Sequence, residues 1–149
     1  MPSQRGVYQV SLKVFLKNSL GQTLVLKTVE DGGFEGLYDL PGGRIDADEF
    51  YLPFQDVIKR EIKEEVGDVD YKIETKPVAL GRHFSAAKYN SQKKDLYILY
   101  VFFAAEYQGG EIKISTEHTG YKWLDLSQIK PEDYFMSGML EGVKEYLNK

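Results

Sequence analysis

Apolar and polar positions alternate near the start of the chain, with Val10, Leu12, Val14 and Leu16 set against Ser11, Lys13, Phe15 and Lys17. A period of two predicts a half-buried strand. Asn18-Ser19-Leu20-Gly21 supplies a turn and Thr23 to Thr28 a second strand, so the pair reads as a hairpin. Glu30-Asp31-Gly32-Gly33 begins an irregular loop that runs through Leu37-Tyr38-Asp39-Leu40 into Pro41-Gly42-Gly43, where glycines let the backbone bend. A helix is predicted to open at Pro53 and to close at Gly67.

Short strands follow at Tyr71 to Glu74 and Val78 to Phe84, then a polar loop from Ser85 to Lys94. Leu96 to Ala105 is apolar without alternation, which predicts a fully buried central strand. Gly109-Gly110, between two extended stretches in Glu106 to Ser115, signals a hairpin. Tyr121-Lys122-Trp123-Leu124 is another short strand. Phe135, Met139, Leu140, Val143 and Leu147 then recur at helical spacing. Without repeats or linkers, this order predicts an α/β fold, a mixed β-sheet flanked by helices, in a single domain over residues 1–149.

Composition narrows the partners more than the fold. The chain has 149 residues, 28% of them charged, with a formal net charge of -4 and scattered basic residues. That balance argues against wrapping a nucleic-acid backbone. The absence of cysteine rules out disulfides, zinc–thiolate sites and thiol catalysis, and fits a reducing cytoplasm. The first residues, MPSQRGVYQV, lack the apolar run of a signal peptide. Leu96 to Ala105 is about half the roughly 20 residues of a membrane helix. The expectation is a cytoplasmic protein with no membrane attachment.

The predicted helix carries the unusual chemistry. Glu61, Glu64 and Glu65 lie three and four residues apart, where like charges repel. On a wheel of about 100° per residue Glu64 and Glu65 fall within about 60° of Glu61, as do Phe54, Val57 and Ile58 of the apolar stripe, while Lys59 and Lys63 point the opposite way. Two readings compete: a solvated acidic face, or carboxylates aimed inward at a cation. Inward carboxylates are costly unless paired or metal-bound, and Arg60, four residues before Glu64, cannot neutralise three. Oxygen ligands without His or Cys select Mg²⁺ or Mn²⁺, and Mg²⁺ shares its shell with substrate phosphates.

The stretch resembles the Nudix box, G-x5-E-x7-R-E-U-x-E-E-x-G-U with U a bulky aliphatic. Gly43 and Glu49 match its first half; Arg60, Glu61, Ile62, Glu64, Glu65 and Gly67 match its second. Leu40-Pro41-Gly42 ahead of it is typical of the family. Glu117-His118-Thr119-Gly120-Tyr121-Lys122-Trp123 is similar to the loop and Trp strand of MutT-type members, in which a Glu six residues before the Trp reaches the metals. Ten residues separate Glu49 from Arg60, where the family has seven, and the surplus centres on Phe50-Tyr51-Leu52. That insertion puts the role of Glu49 in question, or makes a lid carrying aromatic surface to the substrate. Asp68 replaces the final aliphatic.

The resemblance implies a Nudix-type α/β/α sandwich and hydrolysis of a nucleoside diphosphate linked to another group. Glu61, Glu64 and Glu65, with the carbonyl of Gly42 or Gly43 and with Glu117, would hold Mg²⁺ or Mn²⁺. Water would attack phosphorus, with Glu64 or Glu117 taking its proton. Arg60 would orient a glutamate. Lys27 is either a phosphate contact or a surface lysine, Gly42 a point of close approach, and His118 a substrate contact. Asp39 reads as a loop acid. The competing class is a non-catalytic Nudix-fold nucleotide-binding or regulatory module, which loss of the metal glutamates would signal. An isomerase of the isopentenyl diphosphate type needs a cysteine and is excluded. Pro77 falls too early for ADP-ribose members, which leaves a nucleoside triphosphate or nucleotide sugar ahead of a capped RNA end.

Overall fold

The computed structural model describes residues 3–28 and 37–148, so the predicted loop start at Glu30-Asp31-Gly32-Gly33 lies outside the described residues. Along them run β1 (Tyr8–Lys17), β2 (Thr23–Thr28), β3 (Tyr38–Asp39), β4 (Gly42–Arg44), α1 (Phe54–Val66), β5 (Asp70–Ile73), β6 (Ala79–Ser85), β7 (Leu96–Gly109), β8 (His118–Leu124) and α2 (Ser137–Leu147). The strands make one mixed sheet centred on the parallel pair β1 and β7, in register from Tyr8 opposite Tyr97 to Lys17 opposite Glu106. Its main path is β3-β2-β1-β7-β5, with β4 added to β1, β6 to β7 and β8 to β2.

Side chains alternate across a strand, so β1 feeds two cores. Leu12, Val14 and Leu16 pack with Val57, Ile58, Ile62 and Val66 of α1. Phe15 packs instead with Phe102, Met139 and Val143, the last two from α2. One helix on each face gives the α/β/α sandwich expected. It also corrects the half-buried reading of β1: everything from Ser11 to Leu16 is buried, because neither face of the strand meets solvent.

β7 departs from its prediction too. It runs on to Gly109 and is not wholly buried, since Tyr97 is 48% exposed beyond the cover of the helices. The hairpin of β1 and β2 closes with a single residue pair, Lys17 opposite Thr23, before the strands take other partners. Helix α1 keeps its predicted ends at Pro53 and Gly67.

The hairpin expected at Gly109-Gly110 does not form. β5 occupies that edge of β7, with Tyr71 opposite Tyr107. The chain crosses instead to the end of α1, where the amides of Lys113 and Ser115 donate to the carbonyls of Val66 and Glu65 at 2.7 and 3.2 Å. Carbonyls in a last helical turn have no partner within the helix. Satisfying them draws residues 111–115 away from the sheet and delivers Glu117 and His118 beside Glu65.

Candidate active site

β4 lies antiparallel to β1, with Gly43 opposite Leu12 and Gly42 opposite Lys13. Both glycines are demanded by close packing. Gly42 sits at φ 133°, and a Cβ there would run into the carbonyl oxygen of Leu12. A Cβ on Gly43 would occupy the space of the Glu61 carboxylate. The glycine turn is therefore cut to let the first glutamate of α1 lie against the backbone.

These elements enclose an open cleft of about 570 Å³, lined by Lys13, Asp39, Gly42, Gly43, Glu61, Glu64, Glu65, Glu117 and His118 among others. Glu61 and Glu65 are buried, as the wheel predicts, while the Glu64 side chain is 60% exposed at the rim. Burial pushes Glu61 up, partly opposed by Arg60. It pushes Glu65 up to about 8, against the opposing charge of Lys13. Oε2 of Glu65 is buried with no hydrogen-bond partner.

Arg60 gathers the acids around it. Its Nε and Nη2 each donate at 2.6 Å to one oxygen of Glu49, a planar fork on a carboxylate. Its Nη1 reaches Glu61 at 2.9 Å and Glu64 at 3.3 Å. The hydrogen bonds from Arg60 hold Glu49 below the usual carboxylate range. Glu49 also accepts from the amide of Asp46 at 2.9 Å, which closes a single 3-10 turn over Ala47–Glu49. Neither Arg60 nor Glu49 lines the main cleft; they brace Glu61 and Glu64, which do.

Phe50 and Leu52, from the three-residue surplus, line a different, apolar cleft with Tyr8, Ile45, Phe54 and Val57. Phe50, Tyr51 and Leu52 are not among the residues that line the acidic cleft, and Tyr51 is 93% exposed. Lys27 is exposed on β2 and lies outside the cleft lining, where its neighbour Thr28 takes part. Glu117 lines the cleft from an exposed position, and His118 lines it from a buried one.

Sequence reasoning missed the cation at the floor. Lys13 is buried and pairs with Asp39 at 3.1 Å, and its ammonium also donates to the carbonyl of Leu40 at 3.3 Å. Burial would lower its pKa, but the charges of Asp39 and Glu65 reverse that and raise it. Asp39 is the converse case: burial would raise it, and Lys13 and His118 hold it down. So Asp39 is not a loop acid but the anchor of a buried ion pair. The sequence held one hint, the apolar Phe15 among the alternating polar positions. Lys13 shares its strand face with Phe15, and a face that buries Phe15 is not one open to water.

Among the described residues no three His, Asp or Glu side chains stand converged as a ready metal cluster. Arg60 draws Glu61 and Glu64 toward itself instead. The donor set still fits a hard divalent cation. It offers carboxylate oxygens beside a glycine backbone, and one of those oxygens is buried and unsatisfied at Glu65.

An α/β/α sandwich here brings its glycine turn and acidic helix to one cleft. The chain belongs to the NUDIX family, whose domain model matches residues 7–143. It is similar to the nucleoside triphosphatase NudI of Escherichia coli, at 30% identity over 115 residues covering 76% of each chain. Among solved structures it is similar to a MutT protein from Methanosarcina mazei Go1. There the TM-score is 0.70 and the identity 22%, over 98% of this chain and 95% of that one. The NUDIX domain of Shewanella oneidensis NrtR, complexed with ADP ribose, has a TM-score of 0.67 and 16% identity, over 97% and 89%. No helix among the described residues is long and apolar enough to cross a membrane.

Proposed function

We propose that this protein is a divalent-metal-dependent hydrolase of a nucleoside diphosphate linked to a further group, with a nucleoside triphosphate as the leading substrate and a nucleotide sugar next. The observation that carries the reading is the buried, unpartnered carboxylate oxygen of Glu65 in a cleft lined by Glu61, Glu64 and Glu117. The name of the Escherichia coli relative, a nucleoside triphosphatase, supports the substrate class.

In this reading Glu61, Glu64 and Glu65, with the Gly43 carbonyl and Glu117, hold Mg²⁺ or Mn²⁺. The cation, when bound, neutralises phosphate charge and lowers the pKa of water. Gly42 and Gly43 let the phosphates approach the backbone closely. Arg60, held by Glu49, keeps Glu61 and Glu64 in place as the substrate enters. Glu64 or Glu117 takes the proton of the attacking water; both face the cleft. A smaller cleft lined by Tyr38, His83, Tyr100 and Met139 shares Thr28, Asp39 and Tyr100 with the main one, and its aromatic rings suit a nucleoside. One cytoplasmic catalytic domain over residues 1–149 belongs to the same reading, supported by the length of the family match.

The test is a panel of nucleoside triphosphates, nucleotide sugars and ADP-ribose with Mg²⁺ or Mn²⁺, following phosphate and nucleoside monophosphate release. Glu64→Gln and Glu65→Gln are each expected to lose at least about 100-fold in kcat while remaining folded. Turnover that survives chelation, or both substitutions, overturns the reading.

A further inference from the structure

The sheet face that carries α1 is longer than the helix. The 13 residues of α1 span about 20 Å, whereas the 14 residues of β7 run about 46 Å. Leu12, Val14 and Leu16 of β1 pack with α1, as do Val101 and Phe103 of β7. The rows at the start of both strands lie beyond it. There Tyr8 stands opposite Tyr97, and Tyr97 opposite Phe84 of β6. Their rings make one row, with centroids 5.8 and 5.4 Å apart.

The row belongs to a larger apolar surface. Leu80 is four residues before Phe84, on the same face of β6. On the other side, Leu52 and Phe54 line with Tyr8 the apolar cleft of about 420 Å³. All six side chains are 46–50% exposed. At about 200 Å² for a whole large side chain, they present roughly 550 Å² of apolar surface. That is near the top of the roughly 300–600 Å² found in the largest patch of a monomer. With the polar rim that any interface carries, such a centre serves a contact of about 800 Å² per partner, the size that holds a stable complex.

Charge at the rim selects the partner. The patch crosses β4, β1, β7 and β6 in that order. Asp48 lies in the turn after β4 at one side, and Arg82, between Leu80 and Phe84 on their face of β6, marks the other. Three strand spacings, about 14 Å, separate those two edges. Both residues are exposed, and neither forms an ion pair among the described residues. A face that is acidic at one edge, basic at the other and apolar between is its own complement. A two-fold axis through its centre sets Arg82 of each copy against Asp48 of the other, and lays one apolar centre on the other.

We propose that this face of the sheet, beside the start of α1, is the interface of a two-fold homodimer. The inference stands apart from the hydrolase reading.

The experiment is sedimentation velocity of the full chain from about 1 to 100 μM, the range in which an interface of this size can first dissociate. The 17.1 kDa chain is expected to sediment as a dimer at the upper concentrations. Tyr97→Lys and Phe84→Lys, shown to be folded by circular dichroism, should each raise the dissociation constant at least about 30-fold. Arg82→Glu and Asp48→Arg each bring like charges together twice across the axis, and each alone should weaken the dimer about tenfold. Mixed, these two variants should associate to within about threefold of wild type, because every such contact then joins opposite charges. Both positions lie outside the acidic cleft, so turnover per chain should not change. A chain that stays monomeric to about 100 μM overturns the inference, whatever other partner the patch then takes. A dimer indifferent to all four substitutions uses another surface and overturns it too, as does a mixture no tighter than its components. The charge variants decide the question even if the lysine variants fail to fold.

Discussion

Arg60 grips Glu49 with two hydrogen bonds of 2.6 Å across ten intervening residues. The surplus of three residues between them leaves the pair intact, because Phe50, Tyr51 and Leu52 are absorbed in an exposed turn ahead of Pro53. Glu49 thus serves as the second jaw of a clamp on Arg60, and Arg60 as the clamp on Glu61 and Glu64. Arg60→Lys keeps the charge but cannot fork. It should lower stability by about 1–3 kcal/mol and lower kcat more than it raises KM. Urea unfolding and steady-state kinetics on the same variant check both effects.

The turn itself should be dispensable for chemistry. Phe50→Ser combined with Tyr51→Ser removes rings that are 77% and 93% exposed and lie outside the acidic cleft. Stability should change by about 0.5 kcal/mol or less and kcat by less than about twofold. A large loss of kcat would show that the turn reaches the substrate.

Neighbouring glycines should fail in different ways. Gly42→Ala adds a methyl group against the backbone of Leu12 at a φ that alanine rarely adopts, so the protein should lose several kcal/mol or not fold. Gly43→Ala meets only the end of the Glu61 side chain, which can swing aside. That variant should fold and melt nearly normally while losing most activity and divalent-cation affinity. Circular dichroism melts beside a cation titration separate the two.

Lys13→Met strands Asp39, with Glu65 close by, in a buried setting. Breaking such a pair by removing one partner costs about 3–5 kcal/mol. The melting temperature should fall accordingly at neutral pH, and lowering the pH should recover part of it by protonating Asp39.

Glu65 sets a pH dependence of the metal-free protein. Its carboxyl sits near 8 in the fold, pushed there by burial, against an ordinary value of 4.5. Between those values the folded chain holds a proton that the unfolded chain has released. This contribution to stability is complete below about 4.5 and is lost as pH rises through about 8. In the presence of chelator, the melting temperature should decline over that interval, and Glu65→Gln should flatten the decline. Cation binding must expel the same proton, so calorimetry at pH 7 in buffers of different ionisation enthalpy should register its release.

The chain alone determined most of the longer elements and the helix half of the site, but not the short strands β3 and β4 or the course of the chain after Gly110. The limits of α1 follow from a proline and a glycine. The inward aim of Glu61 and Glu65 follows from sharing a stripe with Phe54, Val57 and Ile58, because helical spacing is local and rigid. Tertiary structure decided the rest. Whether Lys13 faced water depended on α2 covering the second face of β1, and that cover comes from residues more than 120 positions away. The route after Gly110 depended on β5 having taken the edge of β7, and on the free carbonyls at the end of α1. Only that route puts His118 between Asp39 and Glu65. Local periodicity can say which side of an element a residue is on; what lies on that side is fixed only when distant segments pack against it.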